Sequence, residues 1–201
     1  MTWIGTVPYE DATGRLRQMY ERVKGPRDKI DNIMLAHSLR PNTMDGHMAL
    51  YKNVLHHSSN TTPTWFLEVV GILVSQINDC AYCVDHHAAG LERLLADAPR
   101  LNRIREALHD ERFDADFEPS EAAALRYAAK LTRAPATVME DDLAPMRAAG
   151  MDDGSILEVN QVAAYFAYAN RTVLGLGIDT HGDILGLSPN DSDDPRDWSH
   201  R

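Results

Sequence analysis

The chain has 201 residues, with 20 Lys and Arg against 30 Asp and Glu, a formal net charge of −10. So acidic a chain is ill suited to nucleic acid, whose phosphates need basic surface. At 44% apolar and 25% charged residues it has the composition of a globular domain, and its apolar runs, such as Val69 to Val74, fall far short of the ~20 residues that cross a bilayer.

Helical periodicity runs through the chain. A segment near Glu10 to Val23 places Leu16, Met19, Tyr20 and Val23 on one face, and a second near Ile30 to Leu39 stops before Pro41. Pro41 opens a third predicted helix carrying Met44, Met48, Tyr51 and Leu55, with His56 to Asn60 as its polar end and a loop. Thr62 and Pro63 read as N-cap and first residue of a helix reaching about Ile77. Asn78-Asp79 offers a turn, with Asp79 as the cap of a helix from Cys80 to about Ala96.

A short helix near Leu101 to Leu108 follows, then an acidic connection from Phe113 to Pro119. Ser120 caps a predicted helix from Glu121 to Thr132, and another from Glu140 to Ala149 ends at Gly150. A long helix begins near Asp153 and reaches about Leu174. No alternating β-branched run suggests a strand. The expected fold is all-α, one domain over residues 1–187, with an acidic, mobile or surface-laid tail over 188–201. The methionines read as core filler.

The chemistry lies in Glu68 to His87. Cys80 and Cys83 are the only cysteines. At about 100° per residue, Cys83 and His87 fall within about 60° of Cys80 on a helix, with His86 off that stripe and Tyr82 and Asp85 pointing away. Two thiols in the first turn of a helix sit where its dipole and free N–H groups favour a thiolate. An imidazole one turn on can take or return the proton. If the preceding helix folds back at Asn78, Glu68 lies about 15 Å before the turn and His87 about 13 Å after it, so the two meet at one level. Gly71 and Ser75 share the Glu68 face and leave room for a close approach.

This pattern, Glu-x11-Cys-x2-Cys-x3-His, resembles the AhpD-like alkylhydroperoxidases of the carboxymuconolactone decarboxylase superfamily. The wording from Ser75 to Cys83 and the run from Ala163 to Gly177 resemble its peroxidase-related branch, and the likeness covers about residues 30–180. The resemblance implies a multihelical AhpD-like domain that assembles as a trimer or as a hexamer built from trimers. It implies a peroxidase in antioxidant defence. Cys83 would attack the peroxide, and Cys80 would donate a proton and then close a Cys80–Cys83 disulfide. Glu68 and His87 would relay protons, an outside dithiol would reduce the disulfide, and no haem, flavin or metal would be needed. One departure is Tyr82, which stands where some members carry a histidine between the cysteines.

Other readings compete. The wider superfamily includes a lactone decarboxylase, whose acid–base chemistry needs no cysteine pair. Cys80, Cys83, His87 and Glu68 could instead serve a non-enzymatic redox sensor or hold zinc in an assembly module, or the cysteines could be inert core residues. His56 and His57 read as solvated, and Asn170 and Arg171 as structural. Tyr82 reads as a shaper of peroxide access or an oligomer contact, and His86 as a surface or interface residue beside the site, or as a further member of it. With no secretory signal in the first residues, a cytoplasmic location is expected.

Overall fold

In a computed structural model, residues 2–191, 193–194 and 197–198 are described. The remaining positions of the acidic tail lie outside the described residues. The fold is all-helical, with no strand among the described residues. The helices are α1 (Gly14–Val23), α2 (Asn32–Ala36), α3 (Pro41–Tyr51), α4 (Thr64–Ile77) and α5 (Ala81–Leu95), then α6 (Ala98–His109), α7 (Phe113–Asp116), α8 (Pro119–Arg133), α9 (Ala144–Ala148) and α10 (Asp153–Leu176). None is long and apolar enough to cross a membrane.

Helix α4 is the axis of the molecule. Every residue from Phe66 to Ser75 is buried, as befits a helix apolar on nearly all sides. α5 folds back along it, and α8 and α10 complete the surround. α10 is set by good end chemistry: the Asp152 carboxylate accepts from the Ser155 N–H (2.7 Å), and Gly177 ends it at φ +60°.

Several boundaries differ from the sequence reading, each for a local reason. Thr62 does not cap α4; its hydroxyl is buried without a hydrogen-bond partner, and Pro63 holds the cap position. The Glu158 carboxylate instead accepts from the N–H groups of Thr61 and Thr62, each at 2.8 Å. α6 starts earlier than predicted because Asp97 accepts from the Arg100 N–H (3.0 Å). The acidic connection contains α7, anchored by the buried rings of Phe113 and Phe117. α8 starts at Pro119, not after Ser120, and the Glu118 N–H donates to Glu121 Oε2 (3.0 Å). Buried methionines fill the core as expected, but Met139 is exposed.

α3 does not end in a solvated loop. It runs into a π turn, Lys52–His56, in which both Lys52 and His56 are buried. Lys52 Nζ donates to Asn190 Oδ1 (3.2 Å) and to the backbone oxygens of Asp194 (2.8 Å) and Asp197. The Trp198 ring is buried beside Tyr51, 5.8 Å between centroids. The described part of the tail therefore packs along the domain.

At Gly71 the Phe166 ring of α10 packs directly against the backbone of α4. A Cβ at Gly71 would lie 2.1 Å from Phe166 Cε2. Alanine in mid-helix is normally favoured over glycine by ~0.5–1 kcal/mol. Here overpacking wins: Gly71→Ala is expected to lower stability by about 1–3 kcal/mol in urea unfolding. The same substitution disturbs the site, because Phe166 stands edge-on to His87 at 4.6 Å.

Candidate active site

The α4–α5 hairpin builds the site. Asn78 N–H closes onto Val74 O (3.1 Å), Asp79 takes a left-handed φ of +56°, and the Cys80 N–H donates to Ser75 O (2.9 Å). Aspartate tolerates that conformation better than most residues. Asp79 is therefore the turn residue and not the cap. Cys80 occupies the cap position at φ −94°, ψ 81°, and α5 begins at Ala81. This corrects the single stripe expected of three residues: Cys83 and His87 share a helical face one turn apart, while Cys80 lies just off the helix.

The hairpin brings Glu68 and His87 together as the level argument requires. His87 Nδ1 lies 2.6 Å from Glu68 Oε2. Glu68 is only 2% exposed. Burial pushes its pKa up, but the charge and hydrogen bond of His87, and His56 beyond, outweigh that and hold it below the ordinary carboxylate value.

The two thiols are free and buried, with their sulfurs 3.2 Å apart. That separation is hydrogen-bonding contact for sulfur. The Cys80 thiol is pulled down to about 7, first by the hydrogen bond from the Cys83 thiol, against burial, with help from the Cys83 backbone N–H and the Asn170 side chain. The Cys83 thiol is pushed up, because its hydrogen is held by Cys80 and because it is buried. The pair thus gives up its first proton early and keeps its second. Asn170 Nδ2 donates to Ser75 Oγ (3.1 Å), and Asn78 Nδ2 to Asn170 Oδ1 (2.9 Å), a network that holds α4, α10 and the cysteine turn in register.

Cys83, Glu68 and His87 border one narrow cavity of about 60 Å3, walled by Tyr51, Tyr165 and Phe166. Cys80 borders a different cavity. Tyr82 is buried on the first cavity's wall, its hydroxyl donating to Asp183 (2.8 Å) and accepting from the Ile33 N–H (3.3 Å). It neither points away nor is free for an oligomer contact. His86 lies 3.2 Å from Asp183 and borders the same cavity.

His56 was read as solvated, and the structure corrects this. It is buried with Nε2 3.7 Å from Glu68 Oε1, and its ring meets Tyr51 edge-on at 5.0 Å. The π turn creates this placement, and nothing in the residue types signals it. Tyr51 likewise stands edge-on to His87 at 5.9 Å. Asn170 joins the cysteine network, whereas Arg171 is exposed and donates to Ala167 O (2.6 Å). Among the described residues no cluster of three or more His, Cys, Asp or Glu side chains is arranged to hold a metal ion.

Residues 41–130, which include all four candidate residues, match the model of the carboxymuconolactone decarboxylase family. No curated protein sequence matches the chain. The alkylhydroperoxidase AhpD core of a peroxidase-related protein from Ralstonia eutropha JMP134 superposes with a TM-score of 0.77 at 20% identity, covering 90% of this chain and 93% of its own. A peroxidase-related protein from Silicibacter sp. TM1040 gives 0.76 at 23%, covering 90% and 94%. The debrominase Bmp8 gives 0.70 at 16%, covering 88% and 91%. At these identities the likeness is one of fold, and the fold is the multihelical AhpD-like one that the sequence suggested.

Proposed function

We propose that this chain, an AhpD-like protein of the carboxymuconolactone decarboxylase superfamily, is a thiol-dependent peroxidase that reduces small organic hydroperoxides through Cys80 and Cys83. The observation that carries this reading is a pair of free thiols, their sulfurs 3.2 Å apart, one of which shares a cavity with a hydrogen-bonded Glu68–His87 couple. Two thiols in contact can take up one oxygen equivalent and close a disulfide before overoxidation.

In the proposed cycle Cys83 attacks the terminal peroxide oxygen and the O–O bond breaks. The Cys83 proton passes to the Cys80 thiolate beside it. The leaving alkoxide is protonated by the His87–Glu68 couple and departs as the alcohol. Cys80 attacks the Cys83 sulfenic sulfur, and its proton leaves with the departing hydroxide as water. Two thiols and one hydroperoxide thus yield one disulfide, one alcohol and one water. An outside dithiol resets the pair by exchange. The assembly proposed is a homo-oligomer, a trimer or hexamer, acting in the cytoplasm; sedimentation of the purified protein measures its size.

Thiol titration before and after one equivalent of cumene hydroperoxide tests the reading, with mass analysis of the peptide containing Cys80 and Cys83. Two thiols should disappear and the peptide should lose two mass units. Unchanged thiols would sink the proposal. The lowered Cys80 pKa also sets a pH dependence. The deprotonated pair grows as pH rises, so the oxidation rate should climb up to about tenfold per unit below about 7 and level off above it. A rate flat from pH 5 to 8 would exclude this pair as the source of the nucleophile.

A second reading has one observation in its favour. A debrominase shares the fold, and the first cavity has tyrosine and phenylalanine walls that suit an aromatic ring. A dithiol can reduce a carbon–bromine bond, leaving a disulfide, bromide and a proton. Bromide release from a brominated pyrrole, without loss of thiols to hydroperoxide, would favour that chemistry.

A further inference from the structure

Three tyrosines, Tyr51, Tyr82 and Tyr165, border the cavity that Cys83 shares with Glu68 and His87. Two of their hydroxyls are already answered. Tyr82 donates to Asp183 (2.8 Å), and the Tyr165 hydroxyl lies 3.5 Å from His47 Nε2. The Tyr51 hydroxyl has no hydrogen-bond partner among the described residues. Its ring is nevertheless fixed from several sides. It stacks on Tyr165 (5.5 Å, 22° between planes), stands edge-on to His56 (5.0 Å) and His87 (5.9 Å), and lies 5.8 Å from Trp198. Phenylalanine would make every one of these ring contacts and leave no donor unanswered. A hydroxyl kept at this place is a donor held ready for what enters the cavity.

We infer that Tyr51 is a further catalytic residue, its hydroxyl donating a hydrogen bond to the leaving oxygen of the peroxide while Cys83 attacks the other oxygen. This rests on the peroxidase reading. As the S–O bond forms and the O–O bond breaks, negative charge gathers on the leaving oxygen. Glu68 is held below the ordinary carboxylate value and is already ionised nearby. A second anion beside it needs a donor, and an aligned donor is worth most where charge develops. Tyr51 and His87 stand ring against ring at one end of a cavity of only about 60 Å3, so both can reach the same oxygen. His87 gives that oxygen its proton, and Tyr51 keeps its own throughout. The two roles differ for a chemical reason. The Tyr51 phenol is held far above the ordinary tyrosine value, by burial first and then by Glu68, Tyr165, Asp31 and Cys83. It is therefore a donor of hydrogen bonds across the neutral range and a poor source of protons.

Tyr51→Phe tests this with three oxidants that ask different things of the site. tert-Butyl hydroperoxide expels an alkoxide, a strongly basic anion that needs a donor. Peracetic acid breaks the same O–O bond but expels acetate, which is stable without one. Diamide closes the disulfide with no O–O bond to break. In stopped-flow loss of thiols, Tyr51→Phe is expected to slow the tert-butyl hydroperoxide reaction about 10²-fold, as removal of one oxyanion donor does. The peracetic acid reaction should slow by no more than about threefold, since its leaving group carries its charge unaided. The diamide reaction should keep its rate. A wild-type rate with tert-butyl hydroperoxide, equal slowing with both peroxides, or a slowed diamide reaction would each overturn the inference. An unfolded Tyr51→Phe chain would overturn it as well, because the hydroxyl would then be holding the fold. Wild-type thiols that survive both peroxides yet close with diamide would sink the peroxidase reading itself, and the inference with it.

Discussion

Cys83→Ser is expected to reduce hydroperoxide turnover by at least ~10³-fold, because an alcohol at neutral pH is a poor nucleophile toward O–O bonds. Cys80→Ser should behave differently. Cys83 still borders the cavity shared with Glu68 and His87, so it should oxidise once and then stall. Without a resolving thiol the product is a sulfenic acid, which dimedone traps as a mass adduct and which excess peroxide drives to the sulfinic acid. The oxidation itself should be slower than in the wild type, since the neighbouring sulfur that receives the Cys83 proton is gone. The comparison also separates the roles of the two sulfurs. In the resting pair it is Cys80 that is pulled down to about 7, by the Cys83 hydrogen bond first. If Cys80 were the attacking sulfur, Cys83→Ser would be the variant that forms the dimedone adduct, and its onset would move to higher pH as that hydrogen bond weakens.

The features legible in the sequence are those carried by regular helices. Glu68 and His87 were expected to meet because rise per residue alone places them at one level of a hairpin, and the structure brings them to 2.6 Å. The burial of Leu16, Met19, Tyr20 and Val23 follows the same regularity. What was not legible depends on departures from it. Cys80 leaves the common stripe because helix geometry starts one residue later, which turns one predicted site face into two. His56 and Lys52 were invisible as buried residues because a π turn shifts the side-chain register by part of a turn. Their polar character pointed outward, while their partners, Glu68 and the distant carbonyls of Asp194 and Asp197, come from elsewhere in the fold. Gly71 was read as room for an approach, but that Phe166 is what fills it depends on how α10 crosses α4.

Glu68→Gln tests whether the buried carboxylate is needed for its charge or only for its shape. Glutamine can still accept a hydrogen bond from His87 but cannot stabilise an imidazolium. If the couple supplies protons, turnover should fall by about 10²-fold, with both thiols still titratable and the fold intact. A variant that turns over at the wild-type rate would leave Glu68 a structural residue. Stability offers an independent reading. The Glu68 pKa is held below its ordinary 4.5, burial notwithstanding, by His87 and His56. In the acid range the folded chain then binds fewer protons than the unfolded one, so stability rises with pH there. The wild type keeps this contribution above the ordinary carboxylate value and loses it as pH falls through the lower folded one. Glu68→Gln has no such proton to bind and should show a shallower fall in stability below pH 4.5. Glu68→Leu removes the acceptor altogether and strands the imidazoles that face it, at an expected cost of about 3–5 kcal/mol even near neutrality. A loss of activity in Glu68→Gln without a matching loss of stability would mark the charge as chemical. Equal losses in both would mark it as a strut between α4 and α5.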